Sequence, residues 1–401
     1  MQQQSDKKIK IVYIIGRLVI GGAEKQITET AARINRDIFD VRLYCLSEGG
    51  PLEAFVREHH IDTTIFESVR YTSFPSFVSY LLTRLKKFQA LYRYLKREQP
   101  DIVHCYMFAP SIYGGIISRL TGHPILITNR RCLGLFKENK PLFQFLENMV
   151  NRFTDLVLVN SKALRDDVLQ REKIDPQKVR IIYNGVNIQK FTPIPKDSES
   201  YALVSETKQK LGIPNNDGII VGMLATLFPY KGHRDFITAA SIVHRTYPKI
   251  WFVCVGADRG IREELQQLGH HLGLSSHLIF PGEFQDAAEI LPVFDIQVSA
   301  SCEEGFSNAI LEGMASGIPM ITTDVGGTPE AVQHEVTGLL VPPKDPEKLA
   351  LAMMSLIENP ECASRLGMNG RKRVESRFSM EEMIHSLEHV YMELYETQKH
   401  A

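Results

Sequence analysis

The sequence has few cysteines, and none has the spacing of a metal site or a redox motif. Six cysteines are scattered over 401 residues without a C-x-x-C pair. This pattern excludes a disulfide framework and the usual zinc sites, and it predicts free thiols in a reducing compartment. The sequence also lacks a D-x-D triplet, an arrangement of acidic residues that could hold a divalent metal ion.

Long hydrophobic runs are missing as well. No stretch approaches the roughly 18 apolar residues that a membrane-spanning helix requires. The apolar run near the start of the sequence is too short for a signal peptide. We therefore expect a cytoplasmic protein, or one bound peripherally to the cytoplasmic face of a membrane.

The net charge of −1 conceals an uneven distribution of charge along the chain. Residues 1–190 carry 29 Lys and Arg against 19 Asp and Glu, which gives +10. The rest carries 17 against 28, which gives −11. A basic first half indicates an anionic partner, such as a nucleic acid, a membrane surface or a phosphorylated substrate.

Short apolar runs rich in β-branched residues alternate with segments of helical periodicity. The predicted strands of the first half are 9–15, 41–46, 102–107, 124–129, 155–160 and 179–183. Those of the second half are 219–224, 251–255, 278–280, 295–299, 318–322 and 338–341. The alternation predicts an α/β fold with two doubly wound domains, each a parallel sheet covered by helices on both faces.

The chain is long enough for two domains, and its composition places the boundary between them. The segment 193–217 is polar and contains several prolines, which predicts a linker. We therefore predict an N-terminal domain over 1–192 and a C-terminal domain over 218–378. A last helix, 379–401, follows the final strand.

The stretch ASCEEGFSNAILEGMASGIPMITTDVGGTPE, residues 300–330, has the features of a site for a phosphorylated ligand rich in hydroxyl groups. A strand leads into a loop with Glu304 and Gly305, and a helix with Ser307 as N-cap carries Glu312. The helix N-terminus suits phosphate, the glycine allows close approach, and Glu312 can accept hydrogen bonds from hydroxyls. The alternative is that the glycines only form tight turns and the glutamates only compensate the helix dipole.

The longer string EEGFSNAILEGMASGIPMITTDVGGTPEAVQHEVTGLLVPPKD, residues 303–345, resembles the signature of the retaining glycosyltransferases of family four. Shorter matches follow the family's order along nearly the whole chain: GGAEKQ (21–26), DIVHCY (101–106), NSKALRDD (160–167), YNGVN (183–187), FPYKGH (228–233) and VGADRG (255–260). The resemblance implies the GT-B fold, in which two Rossmann-like domains face each other across a cleft. The C-terminal domain would hold a nucleotide sugar, the N-terminal domain would lie on the acceptor side, and the last helix would cross back to it.

The resemblance also implies roles for individual residues. Glu312 would bind the ribose of the donor, and Glu304 would bind the donor sugar and help to position its anomeric centre. The backbone at Gly305 and Phe306 would lie near the sugar and the phosphates. Lys231 would clamp the diphosphate, because a fixed cation stabilises the negative charge that the leaving group gains.

Two positions depart from the family's pattern. Thr226 stands where relatives carry an arginine on the diphosphate. Tyr106 stands where they carry the second histidine of an H-x-H strand, although His104 keeps the first. Both Tyr106 and His104 are candidates for contacts with phosphate or with the acceptor. The turn at Gly21 and Gly22 keeps the pattern and would offer backbone N–H groups to the donor from the opposite side of the cleft.

Three arginines of the N-terminal half are candidates for the missing charge. Arg17, Arg130 and Arg131 follow strands in GRLVIGG and TNRRCLG, so they should point towards the carboxyl edge of the sheet. The alternative is that they bind phosphate groups of the acceptor or of a membrane.

The absent D-x-D triplet agrees with the family, which needs no divalent metal for its donor. We therefore expect no metal and no cofactor, with Lys231 and backbone dipoles stabilising the charge of the leaving group. The resemblance further implies retention by same-face attack of the acceptor hydroxyl, with the leaving phosphate acting as the base.

The segment 81–97, LLTRLKKFQALYRYLKR, combines an apolar helical stripe with six cations, and the aromatic stretch YTSFPSFVSY precedes it. This pattern predicts docking to an anionic membrane, and hence a lipid-linked acceptor in polysaccharide or lipopolysaccharide biosynthesis. The alternative is a helix that packs on the core and has a solvated face.

The sequence thus predicts a retaining glycosyltransferase that moves a sugar from a nucleotide sugar, expected to be a UDP-sugar, to a sugar or lipid-linked acceptor. A nucleotide-sugar hydrolase or epimerase on the same fold, or a non-catalytic nucleotide-sugar-binding protein, is the alternative. A nucleic-acid-binding protein would leave the segment around Glu304 and Glu312 unexplained. A nicotinamide dehydrogenase is disfavoured because Gly16, Gly21 and Gly22 lack the G-x-G-x-x-G spacing.

Overall fold

A computed structural model of the chain describes residues 7–67, 76–122, 124–195, 201–214 and 218–400. The chain divides into two compact units, one formed by residues 1–183 and 383–401 and the other by residues 184–382. Each unit is built around one parallel sheet.

The first unit holds a seven-stranded sheet. Its strands are β1 (Ile9–Ile15), β2 (Phe39–Cys45), β3 (Asp62–Ile65), β4 (Ile102–Tyr106), β5 (Ile125–Arg130), β6 (Leu156–Val159) and β7 (Val179–Ile181). Its helices are α1 (Gly22–Arg33), α2 (Glu53–Glu58), α3 (Ser76–Glu98), α4 (Phe108–Leu120), α5 (Pro141–Asn151) and α6 (Lys162–Arg171). The strand order β3-β2-β1-β4-β5-β6-β7 reverses between β1 and β4. Parallel sheets of this kind bind ligands at the carboxyl ends of the strands beside such a reversal.

The central strands of this sheet are buried, which explains their nearly continuous apolar sequences. In β4 all five residues are buried, and in β1 only Lys10 is partly exposed. Helices α3, α4 and α5 pack side by side over β1, β4 and β5. Because each of these helices connects parallel strands, it runs antiparallel to them and begins at the carboxyl edge of the sheet.

The second unit holds a six-stranded sheet. Its strands are β8 (Ile220–Leu224), β9 (Trp251–Val255), β10 (Leu278–Gly282), β11 (Ile296–Ser299), β12 (Met320–Thr323) and β13 (Leu339–Val341), in the order β10-β9-β8-β11-β12-β13. Its helices are α7 (Tyr201–Lys210), α8 (His233–Thr246), α9 (Arg262–His271), α10 (Asn308–Ala315), α11 (Thr328–Ala331), α12 (Pro346–Glu358) and α13 (Pro360–Arg377). The last helix, α14 (Met380–His400), belongs to the first unit from Met383 onwards.

The two doubly wound parallel sheets confirm the predicted fold class, but the sequence did not reveal β3. This strand, Asp62–Ile65, has the sequence DTTI and lies at the edge of the sheet beside β2. None of its residues is buried. A short edge strand with a polar, half-exposed sequence lacks the apolar run that marks the central strands.

The segment predicted as a linker contains a helix that packs on the second unit. Helix α7 lies within 193–217, and its Val204 is buried, as is Ile213 beyond it. It packs against two 3-10 turns, Ala287–Glu289 and Leu291–Val293. Most side chains of this helix are at least partly exposed, which explains the polar composition of the segment. Its one buried side chain, Val204, anchors it. Residues 196–200 and 215–217 of the predicted linker lie outside the described residues.

Candidate functional site

Lys231 lies at the carboxyl edge of the second sheet, in the loop that follows β8. The loop contains the 3-10 turn Pro229–Lys231 and ends at Gly232, whose φ is +77° and which precedes α8. A Cβ atom at Gly232 would lie 1.8 Å from the carbonyl oxygen of Ala300, so only glycine permits this approach. The turn therefore holds Lys231 against the end of β11.

Glu304 lies in the loop after β11, and backbone contacts fix this loop on two sides. The N–H of Cys302 donates to the carbonyl oxygen of Tyr230 at 2.7 Å, next to Lys231. The N–H of Gly327 donates to the Glu304 carbonyl oxygen at 3.2 Å. A Cβ atom at Gly326, whose φ is +50°, would lie 1.8 Å from that oxygen. The glycine pair after β12 therefore supports the Glu304 loop.

The two loops bring Lys231 and Glu304 into contact. The ammonium Nζ lies 2.5 Å from Glu304 Oε2, and the Ser301 hydroxyl donates to the same oxygen at 3.3 Å. The side chains are 19% and 13% exposed. Burial lowers the pKa of Lys231, but the adjacent carboxylate outweighs this effect and leaves the pKa above its ordinary value. Lys231 is therefore a held cation at the sheet edge.

Glu312 lies on α10, and Gly305 and Phe306 lie in the loop before it. Glu312 is half-buried, whereas Gly305 and Phe306 are buried. The Phe306 carbonyl oxygen accepts a hydrogen bond from Asn184 Nδ2 at 3.0 Å, and its ring packs 5.3 Å from the ring of Phe378. The Phe306 side chain is thus part of the core of the unit, and Asn184 fixes the loop that leads to Glu312.

The first unit has a cavity of about 360 Å³ at the carboxyl ends of β1, β4 and β5. Glu24, Tyr106, Phe108, Arg131 and Phe136 are among the residues that line it. Most of the lining is apolar. The volume is at the low end of the roughly 300–1,000 Å³ that ligand pockets occupy, and a few polar groups in an apolar wall are typical of them.

Arg131 supplies a positive charge in the wall of this cavity. Its guanidinium carbon lies 5.2 Å from the centre of the Tyr106 ring. One orientation of the Asn129 amide lets its oxygen accept from Arg131 Nη2 at 3.3 Å and from His104 Nε2 at 3.0 Å, while its nitrogen donates to the Leu158 carbonyl. Burial lowers the pKa of Arg131, and the Tyr106 phenol opposes this effect.

Comparisons with known proteins cover both units. Residues 20–190 match the family profile "Glycosyltransferase Family 4", and residues 204–373 match the profile "Glycosyl transferases group 1". A Bacillus subtilis (strain 168) protein with the name "Putative glycosyltransferase EpsD" is 30% identical over 318 residues, which cover 75% of this chain and 80% of the relative.

The chain belongs to glycosyltransferase family 4.

A second relative and a solved structure extend this likeness over nearly the whole enzyme. The Escherichia coli protein named UDP-Gal:alpha-D-GlcNAc-diphosphoundecaprenol alpha-1,3-galactosyltransferase is 24% identical over 98% of this chain and 99% of its own. The structure of Anabaena Alr3699/HepE in complex with UDP and glucose has a TM-score of 0.83 at 23% identity, over 96% of this chain and 99% of that one. At this identity the structural likeness establishes the fold.

The structure argues against the predicted phosphate or acceptor contact of His104. Its side chain is completely buried. Nδ1 lies 2.6 Å from the Tyr391 hydroxyl on α14, and Nε2 lies 3.0 Å from the Asn129 amide. Burial holds the pKa of His104 well below its ordinary value, so the ring is neutral. Because β4 is a central strand covered on both faces, His104 belongs to the core of the glycosyltransferase.

Arg130 is also unsuited to the predicted role on the donor diphosphate, because its charge is already compensated. Its Nε and Nη2 donate to Glu172 at 3.0 and 2.9 Å, and its Nε lies 2.9 Å from Glu147. Lys137 contacts both carboxylates as well. All four side chains are less than 10% exposed. Two buried cations thus face two buried anions, and Arg131 is the better placed of the two neighbouring arginines.

Four further residues that the sequence predicts in the site of the enzyme lie after β1 and β8. Thr226 is half-buried in the loop after β8, and Arg17 is exposed after β1. Gly21 is the N-cap of α1, and Gly22 is the first residue of that helix. Their contacts with a donor stay predictions.

The described ranges hold neither a cluster of metal ligands nor a membrane-spanning helix. These residues contain no group of three or more His, Cys, Asp or Glu side chains placed to hold a metal ion. Within the same ranges, no helix combines the length and the apolar character that crossing a membrane demands.

Sequence reasoning missed the residues that fix the site from outside its motifs. Ser301 holds Glu304, Asn184 holds the Phe306 loop, and Tyr391 holds His104. The YNGVN motif contains Asn184 and was a visible signal for it. Nothing in the pattern around Tyr391 distinguishes this residue from other apolar positions of α14.

Replacing Gly326 with alanine is expected to lower the activity of this glycosyltransferase more than its stability. The new Cβ would force the Glu304 carbonyl, 1.8 Å away, to move, and a φ of +50° is strained for alanine. A displacement of the site by about 1 Å can cost a factor of about 100 in rate. We expect such a loss in kcat, measured by release of the nucleoside diphosphate. The matched change Gly260→Ala, at a positive φ with no atom within 4 Å, should leave kcat within a few-fold of the wild type.

Proposed function

We propose that the protein transfers a glycosyl group, with retention and without a metal ion, from a uridine diphosphate sugar to a lipid-linked saccharide. The observation that supports this most strongly is the Lys231–Glu304 contact at the carboxyl edge of a parallel sheet in a member of family 4. Lys231 offers a cation to the diphosphate, and Glu304 and Glu312 offer carboxylates to the hydroxyls of the sugar and the ribose.

The proposed step is a same-face displacement at the anomeric carbon. The bond from that carbon to the diphosphate oxygen breaks, and a bond to the acceptor oxygen forms. The acceptor hydroxyl gives its proton to the departing phosphate. Lys231 stabilises the charge that develops on the diphosphate, an effect that is strongest where the site excludes water.

The choice of donor and acceptor rests on the relatives. The printed name of the Escherichia coli relative specifies a UDP-galactose donor and a diphosphoundecaprenol-linked acceptor. The Anabaena structure of similar fold was solved with UDP and glucose, and also with UDP-glucose. The names of the Escherichia coli and Bacillus subtilis relatives denote glycosyltransferases, which favours transfer over a hydrolase, an epimerase or a binding protein without activity.

The test is an assay of transfer with EDTA present. UDP-glucose, UDP-galactose and UDP-N-acetylglucosamine are supplied with N-acetylglucosaminyl diphosphoundecaprenol, and the product is examined by NMR. We expect an α-linked product from one donor, at the same rate with EDTA as with magnesium. A β-linked product would contradict retention, loss of activity in EDTA would contradict metal independence, and equal donor cleavage without acceptor would favour a hydrolase.

We further propose that the first half of α3 docks on an anionic membrane. Tyr80, Leu81 and Leu85 are 55%, 49% and 53% exposed, and the Arg84 guanidinium lies over the Tyr80 ring at 4.4 Å. The helix carries six cations, and its one acidic residue, Glu98, is buried. An apolar stripe flanked by cations is typical of helices that lie in the interface of anionic membranes. Residues 71–75 of the aromatic stretch before it lie outside the described residues.

Charge reversal on this helix tests the membrane proposal. The variant Arg84→Glu/Lys86→Glu should sediment with phosphatidylglycerol vesicles at least ten times less than the wild type, since each basic residue near such a surface contributes about 1 kcal/mol. The control variant Lys7→Glu/Lys8→Glu lies on an exposed part of the same unit. An equal loss in both variants, or no binding by the wild type, would contradict the proposal.

A further inference from the structure

Helix α5 buries the polar side chains of Glu147 and Asn151 beside the apolar Val150, and it leaves two large apolar side chains in solvent. Glu147 and Asn151 are buried in the cluster around Arg130, whereas Leu142 and Phe145 are 61% and 64% exposed. Because Leu142 and Phe145 lie mostly in solvent, they bury little apolar surface in the fold. Their exposure therefore requires another explanation.

The 3-10 turn before α5 also carries exposed apolar side chains, and one of them reaches the cavity of the first unit. Leu135 and Phe136 in the turn Gly134–Lys137 are 37% and 39% exposed, and Phe136 also lines the cavity. Inside, the Phe108 ring lies 5.8 Å from the Phe136 ring and 4.9 Å from the Phe143 ring. The four exposed side chains of Leu135, Phe136, Leu142 and Phe145 are here called the apolar rim, and Phe136 is the one that also lines the cavity.

The charges around the apolar rim suit a phosphorylated amphiphile. Lys140 is exposed between the turn and α5, and its Nζ lies 5.5 Å from the Phe143 ring centre. The acid of the turn, Glu138, lies 3.1 Å from Arg171. Arg131 adds a cation in the wall of the cavity. Of the four acids in this wall, Glu147 and Glu172 are paired with buried cations and Asp167 with Arg171. Burial raises the pKa of the fourth, Glu24. A ligand with a long hydrocarbon chain and a phosphorylated end would meet apolar side chains first and cations beyond them.

We propose that the apolar rim binds the hydrocarbon chain of the lipid-linked acceptor, and that the cavity receives the phosphorylated end of the same molecule. The inference rests on the proposed function, and it names the part of the enzyme that selects a lipid-linked acceptor over a free saccharide. Apolar surfaces of this kind on an otherwise polar exterior mark binding sites for apolar partners. The rim lies at the start of α5, which is the carboxyl edge of the sheet, where the ligand site of such a fold lies.

The test uses farnesyl diphosphate as the chain-bearing probe and inorganic diphosphate as the chain-free probe. Binding to the full-length protein is measured by calorimetry with saturating UDP, so that neither probe occupies the donor site. We expect Leu142→Ser/Phe145→Ser to bind farnesyl diphosphate at least tenfold more weakly, with inorganic diphosphate and UDP within twofold of the wild type. The control Leu120→Ser removes a leucine that is 57% exposed at the end of α4 away from the cavity. It should change the binding of neither probe.

Three results would overturn the proposal. The first is unchanged binding of farnesyl diphosphate by the double variant, and the second is an equal loss for the chain-free probe. The third is a variant that loses adhesion to phosphatidylglycerol vesicles but keeps farnesyl diphosphate binding, since the rim would then be a membrane contact. If the wild type binds UDP but not farnesyl diphosphate, only this inference fails. If it does not bind UDP, the proposed function itself fails.

Discussion

Replacing Lys231 with alanine is expected to lower kcat/KM for glycosyl transfer by about 100- to 1,000-fold, the usual cost of removing one fixed donor to a developing anion. The substitution removes the cation that the structure holds 2.5 Å from Glu304, and it leaves that carboxylate partly buried without its partner. Both effects weaken binding of the diphosphate in the transition state. The loss should appear mainly in kcat, measured with saturating UDP-sugar.

A double-mutant cycle separates the catalytic effect from the loss of the ion pair. Glu304→Gln removes the carboxylate, and the combined variant removes both groups. If the pair acts as a unit, the double variant should be little worse than the poorer single variant. Lys249→Ala, at an exposed lysine of the same unit, is the control. A kcat/KM for Lys231→Ala within fivefold of the wild type would show that this lysine does not act on the donor.

Replacing Glu172 with alanine is expected to destabilise the first unit by about 3–5 kcal/mol, as is typical when one partner of a buried ion pair is removed. Glu172 accepts hydrogen bonds from Arg130, from Lys137 at 2.9 Å and from Asn151 at 2.9 Å. Without it, two buried cations share the single carboxylate of Glu147. Urea denaturation of the full chain, followed by circular dichroism, should show an earlier first transition.

The cause of this loss of stability is tested by a control at an exposed ion pair and by the dependence of the stability on pH. Glu138→Ala removes a half-exposed ion pair with Arg171 and should cost less than about 1 kcal/mol. Although burial raises the pKa of Glu172, the Arg130 charge beside it outweighs this and lowers it to about 2. Its contribution to stability is therefore present above its ordinary pKa of 4.5 and is lost as the pH falls towards about 2. A cost below 1 kcal/mol for Glu172→Ala at pH 7 would contradict the account of the cluster.

The fold was predictable because the central strands of both sheets are buried, so their sequences are apolar runs. The contact between Lys231 and Glu304 was predictable in part, since both residues follow neighbouring strands of one sheet. What the sequence could not show is how the loops are held. Gly232 and Gly326 have positive φ values because they lie against carbonyl oxygens of distant loops, and such contacts exist only after folding. Ser307 stands at the N-cap of α10 as predicted, yet its side chain makes no capping hydrogen bond.

Two residues of the first unit show what a local pattern leaves out. Polar residues in strands and loops suggest ligand contacts, although the fold can pair them with residues far away in sequence. His104 is paired with Tyr391 on the last helix, and Arg130 with Glu147 and Glu172. A local pattern cannot reveal partners at such a distance. The structure therefore distinguishes Arg130, which is paired with two carboxylates, from Arg131, which lies in the cavity wall. The sequence alone did not distinguish them.

Thermal stabilisation by nucleotides tests the central claim, that the second unit holds a uridine diphosphate sugar through Lys231, Glu304 and Glu312. The melting temperature is measured in EDTA with UDP, GDP or ADP, for the wild type and for Glu312→Ala. At 100 times its dissociation constant a ligand stabilises the folded state by about 2.7 kcal/mol. The account predicts a rise in melting temperature with UDP that Glu312→Ala abolishes. No rise with any of the three nucleotides, or a rise with UDP that Glu312→Ala leaves unchanged, would contradict it.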